Sequence, residues 1–411
     1  MTRALAEDSR GPLRSERAQV ETPVRSGVST CEIAVVADRA GFDALATEWG
    51  ELFDRAARPE HLFQSFEWLA CWADFFLKPS DRLRIVTGRR DGRLVMVWPL
   101  VEKPGPLARK LVWMGEPLGQ YGDALVEPAP EARDWLAAGW REIARLGADV
   151  AVLRKTRGDA NASALFAQHG RACELASAPF AEFEGRKSFD EVLAKRNPKT
   201  RSSRRRLLRR LQETGEIAFR RGDEIGAEAR RDLVRDALAM KRDWLLRRGH
   251  FSPPLEAAET LDFLQAFAAG PQSRVTSLVD TVERDGVPVA TGLTFACKGA
   301  GVGFLLAHDS DCDKQGVGIL LAEHILQSCF GRGLAHYDML APYDAYKAEW
   351  ADDAAPVADW ALGFSPRGRL LAWIWGSAAR ERFKIALKNL PPRFGRFVWP
   401  MLRKYTQRAS L

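Results

Sequence analysis

The chain has 411 residues, of which 46% are apolar and 28% charged. That is a globular composition with room for two domains. No run approaches the ~18 apolar residues of a membrane-spanning helix, which excludes an integral helical membrane protein; the first ten residues lack the apolar core of a secretion signal, so none is expected there. The net charge of +7 is unevenly spread: residues 367–411 hold eleven Lys/Arg and one acid, and residues 195–210 hold nine and none. Two basic segments on an otherwise acidic chain point to an anionic partner, either phosphates or an anionic membrane. The six cysteines form no C-x-x-C pair. They read as reduced thiols of a cytoplasmic protein, with no metal site.

Residues 1–30 contain no aromatic residue and read as disordered, because they cannot bury enough surface to offset ordering entropy. Order is expected from Cys31, with I-A-V-V as a buried strand. Phe42, Leu45, Trp49, Leu52 and Phe53 have helical spacing, as do Trp68, Trp72 and Phe75. Strand-like runs flank the Asp91-Gly92 turn, the signature of a hairpin. A further strand ends at Gly115. A loop over 116–123, the run A-L-V, a helix over 131–146 and a strand over 149–153 complete a first α/β unit. Helices are then expected over 188–214, 226–247 and 256–268. Strands over 274–284 and 287–297 flank a second turn, Asp285-Gly286. A strand over 301–307, a helix over 317–330 and the short strand A-H-Y-D-M-L follow. Hairpin, strand, helix and strand thus occur twice, a coarse internal duplication.

The segment D-K-Q-G-V-G-I-L-L, from Asp313, follows a strand and opens a helix. Backbone N–H groups at such a start can cradle phosphate. It resembles the pyrophosphate turn of GNAT-type acyl-CoA N-acyltransferases, Arg/Gln-x-x-Gly-x-Gly/Ala, with Asp313 at the Arg/Gln position. Four marks resemble the CelD-like branch, related to FemAB-type twin-GNAT proteins. They are Asp309 with Lys314, Gly318, Leu320 and Leu321; Asp338 with Tyr346, Lys347 and Trp350; F-Q-S-F-E-W-L-x-x-W from Phe63; and the basic helix from Lys195.

The resemblance implies an α/β chain of two fused GNAT-like domains with mixed sheets flanked by helices, over 31–180 and 181–366. A basic amphipathic segment, 367–411, follows. It also implies acyl transfer from a thioester, acyl-CoA or an acyl carrier protein, to an amine, with no permanently bound cofactor. Lys314, Gln315, Gly316, Gly318, Lys347, Arg204 and Arg205 would hold the donor. His308 and Asp309 are the candidate base pair, since a His titrates near operating pH. Tyr346 is the candidate acid, with Asp338 orienting either group. Each has a plainer reading as a structural residue.

The aromatic, cationic tail suits the face of a bilayer. The enzyme is therefore expected at the inner face of the cytoplasmic membrane. Its expected acceptor is a small amphipathic amine: a long-chain amino alcohol, giving a ceramide-type lipid. Acetylation of an exopolysaccharide and a catalytically degenerate membrane scaffold are the alternatives. Without aromatics interleaved in the basic helix, nucleic acid is not an expected partner.

Overall fold

In the computed structural model, residues 31–222, 225–271 and 273–376 are described. The first half begins with β1 (Glu32–Val36), then α1 (Arg39–Ala44), capped by the Asp38 carboxylate on the Gly41 N–H, and α2 (Ala46–Ala56). A 3-10 turn, Pro59–Gln64, leads into α3 (Phe66–Phe76), whose first turn is capped by Ser65 accepting from the Trp68 N–H. The strands β2 (Arg82–Leu83), β3 (Ile85–Arg90), β4 (Arg93–Trp98), β5 (Leu100–Lys103), β6 (Lys110–Trp113) and β7 (Leu125–Val126) follow. The β3–β4 turn takes φ 51° at Asp91 and 77° at Gly92, the left-handed pair that matches strand twist. Pro99 separates β4 from β5, because it has no N–H to give the ladder. The half closes with α4 (Ala132–Arg145), β8 (Val150–Arg157), α5 (Ser163–His169) and β9 (Arg171–Glu182).

The second half opens with α6 (Phe189–Ala194) and α7 (Pro198–Gln212). One helix was expected there; Pro198 breaks it, disfavouring helical geometry at Asn197. Next come β10 (Ile217–Arg220), α8 (Ala227–Arg247), α9 (Pro253–Glu256) and α10 (Ala258–Ala269). Then follow β11 (Val275–Arg284), β12 (Val287–Cys297) and β13 (Ala300–His308). A 3-10 turn over Ser310–Gln315 precedes α11 (Val317–Gly331), β14 (His336–Asp338), α12 (Ala345–Ala348), β15 (Asp353–Gly363) and α13 (Pro366–Trp375).

The strands form a four-stranded sheet, β1-β3-β4-β7, and an eleven-stranded one, β10-β11-β12-β13-β14-β9-β15-β8-β6-β5-β2. The large sheet runs through both halves. Its centre is β9, which spans the expected boundary at residue 180, and β15 lies between β9 and β8. The described residues from Cys31 to Gly376 accordingly fall within one compact unit. One core cluster joins the halves: Trp68 of α3 meets Phe263, Phe267, Phe295 and Phe304 edge-on at 4.8, 4.9, 5.4 and 5.8 Å. Burying an aromatic cluster of this size is what a sheet shared by two halves requires. The tail expected over 367–411 falls outside the described residues beyond Gly376.

Candidate active site

Each half contains one short parallel strand pair, and the second half's pair makes the site. β13 and β14 pair only at Ala300–His336, Gly301–Tyr337 and Val302–Asp338. On its other edge β13 stays paired to β12 as far as His308. From Gly303 to His308, therefore, one edge of β13 has no strand beside it among the described residues. Such an edge offers N–H and C=O groups to an extended ligand. A register shift opposite Leu293/Thr294 places Phe304 as the extra residue of a bulge, which bends the strand away from β14.

One end of this slot is the glycine turn. Gly316 caps α11 in the left-handed region, φ 67°, which a side chain resists. No side chain caps α11, and among the described residues no group accepts from the Val317 or Gly318 N–H. Free amides at a helix start, with the helix dipole behind them, are the kind of group that can hold an anion. A Cβ at Gly318 would lie 2.9 Å from His308 Nδ1. His308 therefore sits against the turn, with Nε2 2.7 Å from Asp313 Oδ1. Arg248 donates to Asp313 at 3.1 Å and stacks on Trp244 at 4.0 Å. Desolvation pushes against the Asp313 carboxylate, but hydrogen bonds from His308 and the Arg248 cation hold it below its ordinary range.

The other end is Asp338, at the last paired position of β14. Its carboxylate accepts from Tyr121 Oη at 2.9 Å, Arg157 Nη1 at 3.2 Å and the Leu340 N–H at 2.7 Å. Burial raises its pKa, against the Leu340 N–H and Arg157. Tyr121 comes from the first half: Gln64 donates to its carbonyl at 2.8 Å, and Arg157 lies over its ring at 5.3 Å. A cavity of about 420 Å³ opens beside Asp338, lined also by Glu60, Arg157, Glu182, Glu184 and His336.

The expected site residues are thus spread along the slot. Asp338 pairs with Val302, six residues before His308, so the two stand about 20 Å apart along β13. His308, Gln315, Gly316 and Gly318 surround the turn. The Gln315 Oε1 is buried there with no hydrogen-bond partner among the described residues, and Lys314 is exposed. Asp309 is a turn residue, its carboxylate accepting from the Asp311 N–H at 2.9 Å. Lys347 is buried, and its Nζ donates to the carbonyls of Leu340 and Pro342 at 2.8 and 2.9 Å. It ties down the loop after β14, and burial lowers its pKa. Tyr346 is beside it, with its phenol pushed up to about 12 by burial and by Asp344. Its surface is still 41% exposed, so solvent screening tempers that rise.

Arg204 is 4% exposed. It bonds Glu349 at 3.0 Å, lies within 3.2 Å of the Glu323 carboxylate and covers Trp350 at 3.9 Å. Its guanidinium thus holds α7 to the domain. Arg205 is exposed and, among the described residues, in no ion pair. Sequence reasoning missed Tyr121, Arg157 and the Phe304 bulge. No local signal marks Tyr121, because its role depends on a contact across 217 residues. Among the described residues no His, Cys, Asp or Glu group could hold a metal.

Residues 198–348 match the family model described as acetyltransferase (GNAT) domain. They include the glycine turn, the slot and Asp338. Comparison with curated proteins finds no match. Among solved structures, FemX aligns with a TM-score of 0.56 at 12% identity, over 80% of this chain and 98% of that one. A conserved protein of unknown function from Bacteroides thetaiotaomicron aligns with 0.50 at 9% identity, over 80% and 100%. A tandem GNAT protein from the clavulanic acid biosynthesis pathway gives 0.47 at 11% identity, over 82% and 99%. At these identities the first two likenesses establish the fold. With the slot and turn in place, the match over residues 198–348 marks a GNAT-type acetyltransferase domain within the chain and supports an acyltransferase.

Proposed function

We propose that a thioester donor lies in the slot between β13 and β14 and gives its acyl group to an amine at the Asp338 end. The observation that carries this reading is the unpaired edge of β13, Gly303 to His308, running from the α11 turn to Asp338. Phosphates rest on the Val317 and Gly318 N–H groups. A pantetheine arm, an extended chain with two amides, lies along the free edge and carries the thioester toward Phe304 and Asp338.

His308 then serves the phosphate end. The proton of the attacking amine goes to the Asp338 carboxylate, which its raised pKa suits to take it. The lone pair of the neutral amine attacks the carbonyl carbon, the C–S bond breaks, and the thiolate leaves with a proton, which is balanced by the second proton that the nitrogen sheds on becoming the amide. Tyr346, kept protonated by its raised pKa, is the proposed donor of that proton.

The donor is acyl-CoA. An acyl carrier protein is a second source of the same arm, and its acidic surface would meet Arg205, Arg206, Arg209 and Arg210, all exposed on α7. For the acceptor we favour a long-chain amino alcohol, giving a ceramide-type amide at the inner face of the membrane. Leu370, Trp373 and Ile374 of α13 are 57%, 67% and 47% exposed, and the strongly basic tail follows them in sequence. Such a helix end suits an interface and does not cross one; among the described residues no helix is long and apolar enough to span a membrane.

The test is direct. Labelled palmitoyl-CoA is incubated with sphinganine and, separately, with glucosamine. Labelled amide from sphinganine supports the lipid reading. Turnover only with acetyl-CoA and the sugar replaces it with the polysaccharide one.

A further inference from the structure

The cavity at the inner end of the slot has a chemistry of its own. It adjoins Val302 and Asp338, the last pair before β13 and β14 part. Its walls come from both halves: Pro59, Glu60, Arg157 and Asp159 from the first, and Val302, His336 and Asp338 from the second. Part of its charge is internally balanced. Asp159 and Asp338 share Arg157, at 2.9 and 3.2 Å, and Glu60 lies 2.7 Å from Arg58. Glu182 and Glu184, on the rim, have no side-chain partner among the described residues. His336 is lowered by desolvation against the pull of Asp338, Glu60 and Glu182, so it adds no cation at neutral pH. The cavity is therefore net negative, next to a buried carboxylate, at the end of the slot away from the phosphate turn.

We infer that this cavity is the entry and holding site of the acceptor, and that it selects a primary ammonium. The inference rests on the proposed placement of the donor in the slot. Glu182 and Glu184 draw the ammonium in from solvent, and Glu60 and Asp159 face it across the cavity. Asp338 meets it at the point where the thioester ends. A neutral or anionic acceptor gains nothing from these walls, because carboxylates without a counter-charge favour cations and disfavour anions. At about 420 Å³ the cavity takes a polar head of a few heavy atoms.

The probe is 2-aminodecane-1,3-diol, short enough to be soluble, with decane-1,3-diol as its neutral counterpart. Calorimetry on the full chain measures the binding of each, and steady-state kinetics with palmitoyl-CoA measures transfer to the amine. In the double variant Glu182→Gln, Glu184→Gln the acceptor Kd and KM should rise about tenfold, with the donor KM changed less than about twofold. The rise should shrink with added salt. Both residues are on the rim, so folding is expected to survive, and a Glu182→Asp, Glu184→Asp variant should retain most of the affinity.

An unchanged acceptor Kd in the Gln variant, or equal binding of the amine and the neutral diol, overturns the inference. The two levels separate cleanly. If transfer proceeds but its acceptor KM ignores Glu182 and Glu184, the cavity inference fails and the transferase reading stands. If the amine binds with carboxylate dependence but no acyl group is transferred from palmitoyl-CoA, the cavity stands and the proposed reaction fails.

Discussion

The two halves of the molecule build the same parallel strand pair and then treat it in opposite ways. In the first half β6 and β8 pair at Lys110–Val150 and Leu111–Ala151 and then part. The gap is filled from within. The Gly122 N–H bonds the Lys155 carbonyl at 3.2 Å, and the Trp113 ring packs so closely on Gly122 that a Cβ there would lie 2.1 Å from it. The helix that follows, α4, begins after Glu131 and carries Asp134 in its first turn, acids that disfavour an anion at that helix start. In the second half the gap beyond Val302–Asp338 has no strand in it, and its helix begins at Gly316. The two halves thus offer two potential slots. One became a plugged wall, and its plugging loop carries Tyr121 across to Asp338.

The largest effect expected from breaking this difference is at Gly318. A Cβ there already meets His308 at 2.9 Å, and a glutamate would add a negative charge at the proposed phosphate position. Gly318→Glu should abolish acyl-CoA binding by calorimetry while far-UV circular dichroism stays that of the parent. Next is Asp338→Asn, which should lower turnover about 100-fold or more. In the parent the rate should fall as pH drops through the raised pKa of Asp338, and that limb should vanish in the variant. Tyr121→Phe should move the same limb while changing the donor KM little. A pH profile unmoved in both variants would remove Asp338 from proton transfer.

On the plugged side the expected loss is of stability. Trp113 is 3% exposed, so Trp113→Ala should cost about 3–5 kcal/mol in urea denaturation. It should not create a second donor site, since α4 starts without a phosphate turn. Two acyl-CoA per chain in this variant would show that the plug alone distinguished the halves.

The smallest effect concerns Asp313. Its pKa is held below the ordinary value of 3.8 by His308 and Arg248, against desolvation. A depressed carboxylate stabilises the fold above its unfolded pKa, and that contribution is lost as pH falls through the folded one. Asp313→Asn should therefore flatten the fall of Tm with pH below about 4. Since the side chain is 37% exposed, the change should be small. A melting curve as steep as the parent's would mean the pair with His308 does not matter to the folded state.

How much of this was legible in the sequence divides along the same line. The repeated order of hairpin, strand, helix and strand, both Asp-Gly turns and the glycine turn are local signals, each set by φ preference or apolar spacing within a few residues. The expected fusion of two GNAT-like units, mixed sheets and helices, matches the fold found. Strands β9 and β15 were not anticipated, because Ala172, Ala176, Ala178 and Ala355 give them little β-branched or aromatic character. Their strand state comes from long-range pairing with each other. The glycine turn is legible in its spacing, whereas periodicity places His308 on a strand without giving its depth along the slot. The partners of Asp338 come from residues 121 and 157, which no spacing could reveal. Arg204 shows the converse: a run of arginines looks uniform in sequence, yet burial sets one of them apart as a tie to Trp350.

The most direct test reads both halves at once. Amide hydrogen exchange is followed by mass spectrometry on the full chain, with and without a non-hydrolysable palmitoyl-CoA thioether. The account predicts slowed exchange over residues 303–308 and at 317–318, where the free edge and the turn would receive the donor. It predicts no change over 111–123, where the first half is already closed. Protection confined to 111–123, or none at 303–308 under saturating ligand, would contradict it.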